Sequence, residues 1–252
     1  MAIRKPTTGP KLPYLTDRAF EEEAALLLSE YGAKHVVVTA PPVPIDEIAE
    51  HYLELQLEFS DMQQLFGVDD VHGALWVNER RVGIDERLDP SANRKMLGRY
   101  RFTLAHEAGH WRLHRHLFQR QANQLRLLAE GVERPEYICR SSDTAPIEYQ
   151  ANRFASCLLM PREMVVREWQ SQHGSMEPIY LNDLRARQQE IVTAEVLRRG
   201  GLKGGDDAVD NMLLEHVSRP MADTFEVSPD AMRIRLEGMK LLLRKKEPSL
   251  FE

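Results

Sequence analysis

The sequence predicts an α+β fold, mostly helical, with one small group of strands. Three observations lead there. Apolar residues recur at helical spacing through most of the 252-residue chain. Strand-like patterns are confined to short stretches at 53–59, 72–85 and 137–139. A glycine-rich break, Gly200-Gly201-Leu202-Lys203-Gly204-Gly205, then sets the last helical segment apart. The chain is 42% hydrophobic, enough for one core of ordinary size or a main domain with a small appendage.

Taken in order, residues 1–13 hold three prolines and read as an irregular arm. Thr16-Asp17 opens a helix, with the acidic run Glu21-Glu22-Glu23 ahead of Leu26-Leu27-Leu28 and a stop expected at Gly32. A β-branched run, Val36-Val37-Val38, and the turn Pro41-Pro42 follow. Ile45 to Tyr52 reads as a short helix, and Leu53, Leu55, Leu57 and Phe59 alternate as a strand would. Residues 72–85 read as a hairpin around Asn78-Glu79-Arg80. Helical patterns then cover 91–118, 147–160, 162–171 and 180–199, Pro161 ending the second of these. Residues 207–246 suggest two or three amphipathic helices. The expected domains are an arm at 1–13, a main domain at 14–199, a linker at 200–206 and a helical appendage at 207–252.

The formal charge of −6 argues against bulk electrostatic binding of nucleic acid by the whole molecule. Two cysteines, Cys139 and Cys157, make no disulfide framework, so an intracellular, cytoplasmic protein is expected. The first residues lack the apolar run of a secretory signal. No stretch approaches the roughly 18–20 apolar residues that span a bilayer, so no membrane partner is expected.

Four of the nine histidines lie between 106 and 116. His106-Glu107-Ala108-Gly109-His110 is an H-E-x-x-H pattern inside a helical stretch. Residues i and i+4 are about 40° apart around a helix and roughly 6 Å apart along it, so two imidazoles can converge on one Zn²⁺. Glu107, one residue after the first histidine, then stands beside the metal, where it can take a proton from a metal-bound water. The alternative is a pair of surface or satisfied core histidines. The apolar residues Phe102, Leu104 and Ala105 favour a buried helix and the metal.

A third ligand must come from elsewhere. His116 follows His106 by ten residues, but Leu113 stands where a glycine would let the chain leave the helix. On a continued helix His116 and His114 lie about 15 and 12 Å from His106, too far to share an ion. They are assigned to a polar helix end, where cationic histidine suits the dipole. Glu148 is the better candidate, at the edge of a stripe formed by residues 151, 154, 155, 158 and 159. A carboxylate there is costly unless paired or bound to a metal, although a first-turn glutamate also stabilises a helix N-terminus. Asn152, four residues on, could accept the spare N–H of a ligating histidine.

These two blocks, Arg101-Phe102-Thr103-Leu104-Ala105 running into the motif and Glu148-Tyr149-Gln150-Ala151-Asn152-Arg153-Phe154-Ala155 with Leu158-Leu159-Met160-Pro161, resemble the ImmA/IrrE family of metallo-endopeptidases. The likeness covers residues 45–165 well. It implies a zincin-like fold with a small antiparallel or mixed sheet packed on the active-site helix. It also implies His106, His110 and Glu148 as zinc ligands, with Mn²⁺ as an alternative ion, and Glu107 as catalytic base. The expected substrate is a helix-turn-helix transcriptional repressor, cleaved in response to stress or mobile-element signals. Related gluzincins carry an aspartate four residues after the third ligand, where this chain has Asn152. The expected mechanism has metal-bound water attacking the peptide bond, with Glu107 as general base. His114, Tyr149 and Arg153 are near enough in sequence to be considered as a second electrophile, and none has a specific claim.

Across the linker, residues 221–232 resemble a helix-turn-helix core, with Ser228 capping a helix that begins at Pro229 and Glu226 at a turn position usually given to glycine. Residues 207–228 carry five acids and one arginine; residues 229–246 carry six bases and two acids. DNA binding through 207–246 is the functional reading, and a helical pair with a solvated basic tail is favoured over it. The rival function for the whole chain is a non-proteolytic regulatory module. It would have a structural zinc site and C-terminal helices that bind DNA or repressor. Cys157 reads as a small core residue. Cys139, on a possible strand near the ligand helix, could act as a thiolate fourth ligand that silences the site.

Overall fold

A computed structural model describes residues 12–117, 135, 137–140, 145–199 and 207–245. The expected N-terminal arm, up to residue 11, and the glycine-rich segment 200–206 lie outside the described residues. Packing divides the chain into two compact units, Met1–Val37 with Pro44–Leu158, and Val38–Val43 with Leu159–Glu252.

The first unit opens with α1 (Asp17–Lys34), capped by Thr16, whose hydroxyl accepts the Ala19 N–H at 3.2 Å. It buries Phe20, Ala24, Leu27 and Tyr31. The helix runs past Gly32 because Lys34 and His35 still find backbone partners, the His35 N–H bonding to the Tyr31 carbonyl. Val36 and Val37 then form no strand and stand 74% and 66% exposed, with no sheet edge to receive them. Next come α2 (Ile45–Glu47), continued as a π-helical turn at Ile48–Tyr52, and β1 (Gln56–Ser60). After α3 (Met62–Phe66), β2 (Val71–Trp76) and β3 (Arg81–Asp85) make the hairpin, with Arg80 in the left-handed region at φ 54°.

α4 (Leu97–Gly109) carries the H-E-x-x-H motif and passes into a π-helical turn, His110–His114. β4 (Tyr137–Arg140) and α5 (Pro146–Leu159) complete the unit. The sheet has the order β1-β3-β2-β4, with β1 parallel to β3 and the other pairs antiparallel. α4 packs on β2 and β3. Its sequence is not strongly apolar, yet Leu104, Ala105, His106, Glu107, Ala108 and Gly109 are all buried. Burying polar groups costs free energy unless they are hydrogen-bonded or bound, so the polarity inside this helix needs a chemical reason.

The second unit is helical: α6 (Arg162–His173), α7 (Leu181–Arg185), α8 (Gln188–Arg199), α9 (Ala208–Phe225) and α10 (Pro229–Gly238). The short strands β5 (Ile179–Tyr180) and β6 (Leu242–Leu243) pair in parallel. Glu226 makes the turn between α9 and α10 in the left-handed region at φ 53°, so the turn forms without glycine. Ser228 caps α10 by accepting the Ala231 N–H. The basic residues of α10 are engaged within the unit. Arg233 pairs with Asp230 and Glu237, and Arg235 donates to the Met160 carbonyl at 3.0 Å. No helix among the described residues is long and apolar enough to cross a membrane.

Candidate metal centre

Two helices meet at the site. Gly109 makes the close approach possible, since a Cβ there would lie 3.1 Å from Phe154 Cδ1 and 3.3 Å from the Ala151 carbonyl oxygen. α5 can therefore set Glu148 against the two histidines of α4. Glu148 Oε2 is 3.0 Å from His106 Nε2 and 3.4 Å from His110 Nε2, and the two Nε2 atoms are 3.0 Å apart. Ligands at ~2.1 Å in a tetrahedral site stand about 3.4 Å from one another, so this spacing suits one ion. His106, His110 and Glu148, all buried, form a group that could hold a metal.

Hydrogen bonds behind the histidines decide which nitrogen faces the centre. His106 Nδ1 donates to Asn152 Oδ1 at 2.9 Å, which leaves Nε2 toward Glu148. For His110 the partner is His114, with the two Nδ1 atoms 3.1 Å apart. His114 Nε2 donates to Gln150 Oε1 at 3.0 Å, and Gln150 Nε2 donates to the Pro13 carbonyl at 2.7 Å. Burial lowers the His114 pKa, so its ring is neutral with a bare Nδ1. His110 Nδ1–H must then be the donor, and its Nε2 presents a lone pair. The polar-helix-end assignment for His114 is thereby corrected: it is 1% exposed and orients a neighbouring ring. His116 is exposed.

The charges agree with a site built around a cation. Burial works to raise the Glu148 pKa, but the neighbouring His106 and His110 side chains outweigh it and hold the group at about 2. Burial drives His110 down to about 3. His106 goes the other way. Burial opposes its charge, yet Cys139, Glu148 and Glu107 raise it well above its ordinary value. Glu148 thus stays ionised beside the two rings.

Glu107 is fully buried, and neither carboxylate oxygen has a hydrogen-bond partner among the described residues. Burial pushes it up to about 8. An orphaned carboxylate beside a His₂Glu donor set fits a bound divalent ion with water beside it. Sequence reasoning passed over Gly73, whose absent side chain makes room for this group. A Cβ there would fall 2.7 Å from Glu107 Oε1 and 2.8 Å from Thr103 Cγ2. The available signal was a glycine inside a strand pattern, which often marks such an approach. The three groups considered as electrophiles are placed differently. Arg153 pairs with Asp17 at 2.7 Å, Tyr149 is 55% exposed, and His114 sits behind His110.

The family model for the IrrE N-terminal-like domain, Peptidase_M78, matches residues 66–199. The chain belongs to the ImmA/IrrE family of metallopeptidases. Comparison with individual curated proteins finds no match. The Peptidase_M78 match spans α4, β4 and α5, and so contains the whole donor set together with Glu107. The α+β architecture, with its small mixed sheet on the motif helix, is the zincin-like fold.

Proposed function

We propose that this metallopeptidase is a zinc-dependent cytoplasmic endopeptidase whose substrate is a helix-turn-helix transcriptional repressor. The observation that carries the reading is a His106–His110–Glu148 donor set beside a buried Glu107 that has no hydrogen-bond partner among the described residues. His106 and His110 would hold the ion through Nε2 and Glu148 through its carboxylate. Asn152 and His114 keep the two rings in the required tautomer. A zinc held there, or manganese in its place, would supply Lewis acidity toward water and the scissile carbonyl. Glu107 takes the proton from the attacking water and returns it to the leaving amine. The repressor substrate rests on family resemblance.

The test is co-expression with a candidate helix-turn-helix repressor from the same cell, followed by mass spectrometry of the products. Wild type should give discrete repressor fragments, and Glu107→Gln should give none while keeping its metal. Intact repressor beside both zinc-loaded wild type and zinc-loaded Cys139→Ser would overturn the substrate assignment.

A further inference from the structure

β4 brings another ligand-type side chain to the centre. Cys139 stands directly across from Gly73 in the β2–β4 ladder. Residues opposite each other in an antiparallel pair project from the same face. That face of Gly73 is the one a Cβ could not occupy without striking Glu107. Cys139 accordingly reaches the same space. Its Sγ, a His106 ring nitrogen and a Glu107 carboxylate oxygen all lie within 4.8 Å of one another. Tyr137, two residues earlier on the strand, stacks on His110 with ring centroids 4.0 Å apart, which ties β4 to the motif helix. Glu107, fully buried with neither oxygen partnered among the described residues, aims its carboxylate into this space, a second sign that something is bound there.

His106, His110 and Glu148 supply three ligands, whereas zinc prefers four. We propose that Cys139 is the fourth ligand of a latent, closed form of the site. The inference rests on the metal reading above and adds its regulation. On ligation the sulfur–hydrogen bond breaks and its proton passes to Glu107. The sulfur lone pair then fills the position that water must hold for hydrolysis. Closure therefore removes the nucleophile's place. A site with three protein ligands and one open position is catalytic, while four protein ligands make it inert. Withdrawal or capping of the Cys139 thiol reopens it. The other cysteine, Cys157, is 1% exposed in the core and takes no part.

Cobalt substitution tests this on the full chain. Wild type loaded with Co²⁺ should show a thiolate-to-cobalt charge-transfer band in the near ultraviolet. Cys139→Ser should lose that band, retain one cobalt per chain and gain peptidase activity. Bound cobalt without the band in wild type overturns the Cys139 proposal and leaves the metal site standing. No bound cobalt at all overturns the metal reading, and the thiolate with it. Iodoacetamide labelling gives a second readout, independent of any variant's folding. Peptide mass spectrometry should find Cys139 alkylated at least tenfold more slowly in zinc-loaded than in chelator-treated protein. Equal rates would overturn the proposal.

Discussion

His110 and His114 face each other Nδ1 to Nδ1 at 3.1 Å, one turn apart on the motif helix. His110 is assigned to the metal and His114 to fixing its ring. The Gln150 amide, itself held by the Pro13 carbonyl, completes the chain of orientation. Replacing His114 by Phe removes the acceptor for His110 Nδ1–H and leaves Gln150 Oε1 without its donor. Zinc affinity should fall by about 10–100-fold, the usual cost of losing such a partner. Gln150→Leu should give a smaller loss in the same direction. Competition with a chelator of known affinity measures both, and unchanged affinity in both variants would remove His114 from the account.

Gly73→Ala tests the room made for Glu107. A methyl group 2.7 Å from Oε1 must displace the carboxylate or the strand. Hydrolysis should drop by at least tenfold while zinc stoichiometry stays at the wild-type value, because no donor atom to the ion is touched. A variant with full activity would show that the position of Glu107 is not set by this contact.

The raised pKa of Glu107 predicts how metal-free protein responds to pH. The folded carboxyl group titrates at about 8, well above its ordinary value of 4.5. Its protonated form is therefore favoured by folding, and this contribution is complete below about pH 4.5. It is lost as pH rises through 8. Glu107→Gln lacks the titration. Metal-free variant and wild type should converge in stability below about pH 4.5, separate progressively as pH rises from there, and differ fully above about pH 8. The variant should be more stable there by on the order of a few kcal/mol. Urea melts at pH 5 and 8.5 measure the difference. Zinc should shrink it, since a nearby cation stabilises the carboxylate.

The parts of this site that were legible in the sequence are those set by local periodicity. Helical spacing places His106 and His110 on one face with Glu107 beside them, and the apolar stripe of α5 makes a carboxylate at Glu148 conspicuous. The hairpin was readable for the same reason, since alternation and a polar turn are short-range signals. What escaped depends on pairing across many residues. Nothing near Gly73 announces that Cys139 will stand opposite it, because the β2–β4 register joins segments more than sixty residues apart. His114 escaped differently. It was measured against His106, which it cannot join on one ion, when its partner is His110, four residues away. Glu226 shows a side chain taking a left-handed turn that glycine usually holds.

The central claim is that His106, His110 and Glu148 together hold one divalent ion. Metal content of Glu148→Ala, measured by plasma mass spectrometry after equilibration with limiting zinc, tests it most directly. Wild type should carry one zinc per chain and the variant well under half of that, with its helical circular dichroism preserved. A folded Glu148→Ala protein that binds zinc at wild-type stoichiometry and affinity would contradict the claim.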